Sequence, residues 1–269
     1  MIETLRSMGD CLIRIRIADR ETERYVAMTI GDREADAPPG RQPDYTLRIS
    51  GGYGRRTDSP NDDAGPVAIE AAKQGLTFTR MDYRVVMSPD RREADIRFCD
   101  YFALRTALLN WLSTVLAEQG DGLLIHSSCA AQNGEAYVFT GYSGAGKTTV
   151  ASLSRPRPLL ADETALLRVP ESGRPLVYDS PFRNDFKEPA GIGPVPLRAI
   201  YVLEQSARVR ARRLARSEAL LALFDKVVYW KHDPRQTTRL IRRCAALVER
   251  VPVYVLEFQK NNGFWEVIS

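Results

Sequence analysis

Cysteine and histidine are scarce. Cys11, Cys99, Cys129 and Cys244 form no CxxC pair, and the only two histidines are His126 and His232. A zinc site is not expected from so few soft ligands, and reduced, mostly buried thiols in a cytoplasmic protein are. Long apolar runs are missing too. No segment approaches the roughly 18 apolar residues of a membrane span, and the opening MIETLRSMGDCLIRIRIADR carries charges where a signal peptide needs an unbroken apolar core. No membrane partner is expected. Strong charge imbalance is also absent. The net charge of +4 over 269 residues comes mostly from arginine and fits an anionic ligand better than nucleic acid.

What is present is an ordinary globular composition, 44% hydrophobic and 27% charged, enough for one large domain or two modest ones. Residues 11–30 set Ile13, Ile15 and Ile17 against Leu12, Arg14 and Arg16, so the stretch reads as a half-buried strand. The Gly-, Pro- and Asp-rich residues 31–66 read as loops around one strand, YTLRIS. LTFTRMDYRVVMSP reads as a hairpin turning near Asp82. DYFALRTALLNWLSTVLAEQG is the clearest helix, capped by Asp100 and ended by Gly120, with Leu104, Leu108, Trp111, Leu112 and Val115 on one face. Trp111 reads as core packing. The division expected is a β-rich N-terminal domain, 1–99, and a second domain, 100–269.

In the second part, DGLLIHSSCA and NGEAYVFTG read as strands joined by a hairpin turn at Asn133-Gly134. A strand near RPLLADE and another at 197–205 follow. ARVRARRLARSEALLALFDKVVYW reads as a basic strand and then a helix capped near Ser217. Arg208, Arg210 and Arg212 alternate on one face of that strand with no aromatic interleaved, which favours a solvated or partner-facing strand over a nucleic-acid platform. A further helix is expected with Asp233 as cap and Pro234 in first position. VPVYVLEFQ and GFWEVIS read as closing strands.

The stretch TGYSGAGKTT holds the chemistry. Gly141, Gly146, Lys147 and Thr148 fit G-x-x-x-x-G-K-[ST], a phosphate-cradling loop. Such a loop exposes consecutive backbone N–H groups, and glycine permits the dihedrals this requires. A helix after it turns its positive end to the anion. Residues 141–149, Gly141, Tyr142, Ser143, Gly144, Ala145, Gly146, Lys147, Thr148 and Thr149, are therefore the expected nucleotide contacts. Lys147 reaches the β and γ phosphates and Thr148 offers its hydroxyl to Mg²⁺. The apolar strand EAYVFT before the loop and TTVASL after it supply the right context. Soon after, LLADE ends a short apolar run in Asp162 and Glu163. Two adjacent acids at a strand end can divide two jobs, one accepting a proton and one holding Mg²⁺.

GLLIHSSCAAQNGEAYVFTGYSGAGKTTVASL followed by LLADETALL resembles the catalytic domain of HPr kinase/phosphorylase, and more closely its shorter relatives found beside peptide-modification genes. The resemblance is strong over about 120–205, including SPFRNDFKEPAGIGPVPLRAIYVLEQS. VPVYVLEF is similar but less specific. The resemblance implies an α/β P-loop fold, HPr kinase/PEP carboxykinase-like, with a mixed sheet and a β-rich N-terminal part. It places the catalytic base on Asp162, a metal-side acid on Glu163, and the strand-end histidine on His126. Arg183 in SPFRND is a candidate for binding a phosphate or an acidic substrate. The family more often has Asp where Glu163 stands. The glutamate-and-arginine signature tied to phosphorolysis has no clean copy, Glu188 being a loose match. The expectation is an ATP- and Mg²⁺-dependent kinase acting on a Ser or Thr hydroxyl of a protein or peptide, as a possible homo-oligomer. The alternatives are a nucleotide-binding regulatory module without phosphotransfer and a small-molecule kinase.

Overall fold

The computed structural model describes residues 1–56, 66–73, 75–230 and 234–268. The chain is α/β with two mixed sheets, and its N-terminal part is rich in strands. Contacts gather it into two compact units, one of residues up to Val115 with Trp230, the other of Leu116–Tyr229 and the residues from Pro234 on. Composition puts a boundary at 99/100; the units divide inside a helix, between Val115 and Leu116.

In the first unit, β1 (Ile2–Met8) and β2 (Cys11–Ile17) form an antiparallel hairpin. The strand expected over 11–30 stops at Ile17, and α1 (Arg20–Ile30) takes its second half. The reason is local. The Asp19 carboxylate accepts the Thr22 N–H at 2.8 Å, Glu21 and Glu23 occupy the first turn, and Val26 and Ile30 share a buried face. α1 carries the chain over to β3 (Tyr45–Ser50), parallel to β2. β4 (Ala68–Ala72), β5 (Gly75–Thr79), β6 (Tyr83–Met87) and β7 (Glu93–Phe98) run antiparallel in turn, and β7 pairs in parallel with β3. The β5–β6 turn is held by an Arg80–Asp82 ion pair at 2.6 Å. α2 (Tyr101–Gln119) starts where the Asp100 carboxylate accepts the Ala103 N–H at 3.0 Å and ends at Gly120, with φ 87°. Burial exceeds one stripe, since Ala103, Ala107, Ser113 and Thr114 are enclosed along with the leucines.

The second unit is built on β8 (Gly122–Gln132) and β9 (Glu135–Thr140), joined through Asn133 at φ 54° and Gly134 at φ 75°. Both left-handed residues match the twist of an antiparallel hairpin. Next come α3 (Lys147–Ser154), β10 (Leu159–Ala161), β11 (Thr164–Arg168), β12 (Leu176–Tyr178), β13 (Val195–Gln205) and β14 (Arg210–Arg213). α4 (Arg216–Phe224), α5 (Pro234–Arg250) and β15 (Val253–Phe258) complete the sheet. β9, β13 and β15 lie parallel, and the pairings β8–β9–β13–β12–β11–β8 close a ring.

Helices cover both faces of the parallel strands, as such strands require. Val138 and Ile200 pack with Leu223, Leu240 and Leu247 of α4 and α5. Phe139 and Tyr201 pack on the other side with Val150 of α3, Phe258, Phe264 and Trp265.

α4 begins after Ala215 rather than at Ser217, with the Glu218 carboxylate accepting the Ala215 N–H at 3.0 Å. The expected cap Asp233 lies outside the described residues. The closing strand expected in GFWEVIS is instead a 3-10 turn, Asn262–Phe264, running into α6 (Trp265–Ile268). Asn261 caps it by accepting the Gly263 N–H at 3.0 Å, and Trp265 is buried, its indole N–H donating to Ser154 Oγ at 3.2 Å.

Candidate functional site

The buried strand β9 ends at Thr140 and α3 begins at Lys147, so residues 141–146 form a loop at the carboxyl end of a parallel strand. The carboxyl ends of parallel strands are where α/β folds commonly gather ligands. Gly146 has φ 107°, and a Cβ there would stand 2.7 Å from Cζ of the buried Phe258. Only glycine fits. The loop is tied across its base. Ala145 N–H donates to Tyr142 O at 3.1 Å, Gln205 Nε2 to Gly144 O at 2.8 Å, and Ser128 Oγ to Lys147 O at 3.1 Å. No side chain caps α3. Tyr142, Ser143, Gly144 and Thr148 are exposed, while Ala145, Gly146 and Thr149 are half-buried.

Lys147 is buried, and its Nζ donates to Gly141 O at 3.1 Å and Tyr142 O at 3.2 Å. The ammonium is thus curled over the loop's own carbonyls. Burial lowers its pKa; Glu163 opposes the shift and Lys226 adds to it.

The acid pair follows β10, and its members face different neighbours. Asp162 is 4% exposed. Its oxygens accept the backbone N–H of Asn184 at 3.1 Å, of Asp185 at 2.7 Å and of Phe186 at 2.9 Å. Arg183 is equally enclosed. Its guanidinium donates to Leu159 O at 2.8 Å and pairs with the Asp179 carboxylate. Asp162 and Arg183 therefore fasten the turn 183–186 to β10.

Glu163 instead lies beside His126, carboxylate to Nδ1 4.0 Å. Antiparallel β8 and β11 bring them together, for Thr164 sits opposite His126 and Ser127 N–H donates to Glu163 O at 3.0 Å. Burial and the Lys147 and Lys226 cations lower the His126 pKa against the pull of Glu163, so the ring is neutral near pH 7. The structure gathers Lys147, His126 and Glu163 around the loop and engages Asp162 and Arg183 with backbone behind it.

Sequence reasoning passed over Lys226. It is 9% exposed, its Nζ lies 3.5 Å from the centre of the Tyr142 ring, and it pairs with Asp225 at 2.5 Å. Residues 226–228 line the edge of β8, with His126 N–H donating to Lys226 O at 2.8 Å and Val228 N–H to Leu124 O at 2.9 Å. The available signal was a lone lysine inside the mostly apolar run LLALFDKVVYW.

Residues 103–269 match the family described as "ScmC: SynChlorMet cassette protein ScmC". The chain belongs to the ScmC family. The family match takes in the loop, the acid pair, His126 and Lys226, and leaves the first unit's sheet outside. No curated protein matches the chain. Among the described residues, no helix is long and apolar enough to cross a membrane, and no group of three His, Cys, Asp or Glu residues is gathered as a metal site.

Proposed function

We propose that this ScmC-family protein is an ATP- and Mg²⁺-dependent kinase on a P-loop fold of the HPr kinase/PEP carboxykinase kind, phosphorylating a Ser or Thr hydroxyl of a protein or peptide. The observation that carries the reading is the loop 141–146, set between a buried parallel strand and an uncapped helix start, with Lys147 buried against it. Backbone N–H groups of the loop bind phosphate oxygens, and Lys147 exchanges its loop carbonyls for the β and γ phosphates. The exposed Thr148 hydroxyl is a hard oxygen donor, which suits Mg²⁺ carried in on the nucleotide. When bound, that ion neutralises charge on the transferring phosphoryl group.

The proton of the acceptor hydroxyl passes to Glu163 in this proposal rather than to Asp162. Asp162 is enclosed and already accepts three backbone N–H groups, whereas Glu163 is only partly buried and stands beside a neutral His126.

The engagement of Asp162 also favours a second reading, a nucleotide-binding regulatory module without phosphotransfer. One experiment separates the two. The protein is incubated with γ-labelled ATP and the proteins and peptides encoded beside its gene, and products are read by mass spectrometry. A kinase labels a Ser or Thr, and Lys147→Ala abolishes the labelling and weakens ATP binding. A module binds ATP and labels nothing; labelling that survives Lys147→Ala removes the loop from the reaction.

A further inference from the structure

Lys226 is a buried ammonium that the proposed reaction leaves unused. We propose that Lys226 is a second phosphate-side cation, parked on the Tyr142 ring and Asp225, and that it makes the site prefer nucleoside triphosphates to diphosphates. The inference rests on the nucleotide reading above and extends it to ligand selection.

Three observations converge on it. First, two ammonium groups flank one loop residue: Lys147 Nζ bonds Tyr142 O at 3.2 Å, while Lys226 Nζ lies 3.5 Å from the Tyr142 ring centre. Second, Lys226 is held with little compensation. Its residue is 9% exposed, yet its carboxylate partner, Asp225, has a side chain 57% exposed. A pair with so hydrated a partner contributes little, and the ring face adds a modest cation–π attraction. Third, the position is fixed by backbone, through the Ile125–Val227 bridge and the bond from His126 N–H to Lys226 O. The Lys226 charge also reaches Lys147 and His126, lowering the pKa of both. Two cations near one loop repel each other until an anion enters. A γ-phosphate brings the charge that both can share, and Lys226 moves from carboxylate and ring to phosphate oxygens with no covalent change.

Equilibrium titrations with Mg-ATP, Mg-ADP and inorganic tripolyphosphate test this on the full chain. Lys226→Met keeps the stem and removes the charge. It should weaken ATP and tripolyphosphate about 10- to 100-fold, the size of a hydrogen bond to a charged group, and ADP much less. Lys226→Arg should keep most of the preference, and Tyr142→Ala, which removes the ring that holds Lys226 only in the unbound state, should raise it. An ATP-to-ADP ratio unchanged in Lys226→Met overturns the inference. If Lys226→Met does not fold, Tyr142→Ala decides, since that side chain is exposed and an unchanged ratio there overturns the inference equally. A parent that binds ATP and loses it in Lys147→Ala, with Lys226→Met indifferent, sinks this inference alone. A parent that binds none of the three overturns the nucleotide reading with it.

Discussion

Asp162 and Glu163 are neighbours in sequence with opposite surroundings, and substitution should separate them. Asp162→Asn turns one carboxylate oxygen into an N–H₂ donor facing the N–H groups of 184–186. The turn should loosen and the protein lose about 1–3 kcal/mol, the cost of leaving buried donors without an acceptor. Glu163→Gln keeps the size of a partly exposed side chain beside His126. It should leave the melting temperature near that of the parent and cut turnover on the order of 10²–10⁴-fold, the size of a general-base contribution. Thermal melts and steady-state turnover measure both. An Asp162→Asn variant that keeps its melting temperature, binds Mg-ATP and has no turnover would return the base to Asp162. A Glu163→Gln defect repaired by added Mg²⁺ would assign that acid to the metal.

His126 carries a pH prediction. Its folded pKa lies below the ordinary histidine value because of burial and the Lys147 and Lys226 cations, with Glu163 opposing. The unfolded chain therefore takes up this proton first as pH falls through about 6.5. Stability falls on that acid side and is flat, for this group, above it. His126→Gln should lose less melting temperature than the parent between about pH 7.5 and about pH 5. Parallel curves would mean that the histidine is not held neutral.

At the scale of elements, signals local in sequence were legible. The hairpin at Asn133-Gly134, the Asp100 and Gly120 limits of α2 and the glycine spacing of 141–146 each depend on a few adjacent residues. α1 was hidden because the alternation of β2 runs up to the cap Asp19 and masks it. GFWEVIS has strand composition, but Asn261 and the burial of Phe264 and Trp265 decide for a helical turn. The meeting of His126 with Glu163, the grip of Asp162 on 184–186 and the place of Lys226 all rest on pairings between distant segments. No local pattern encodes those. The glycine that shapes the loop gives an element-scale test. Gly146→Ala puts a Cβ 2.7 Å from Phe258 Cζ at a φ of 107°. Strain and overpacking should destabilise the protein by about 1–3 kcal/mol and weaken ATP binding. A variant with parent melting temperature and parent affinity would show that the loop tolerates a side chain there.

At the scale of the whole molecule, chain order and compact units do not coincide. Tyr229 belongs to the second unit, Trp230 to the first, and Pro234 to the second again. Trp230 is 2% exposed. Its ring stacks on Phe78 with centroids 3.5 Å apart and an 8° interplanar angle, and its indole N–H donates to Tyr83 Oη at 2.9 Å. The first unit thus takes one of its largest core side chains from far down the sequence. A fragment ending at Val115 lacks that side chain and leaves Phe78 and Tyr83 short of a partner. In the full chain, Trp230→Ala should cost about 3–5 kcal/mol, the usual range for deleting a buried aromatic. Trp230→Phe should cost less, keeping the stack and losing the bond to Tyr83. Denaturant melts followed by near-ultraviolet circular dichroism would rank the three proteins. The 1–115 fragment should melt at lower denaturant than the first transition of the full chain. A fragment as stable as that transition, together with a Trp230→Ala variant that melts like the parent, would show that the sheet of the first unit stands without the tryptophan.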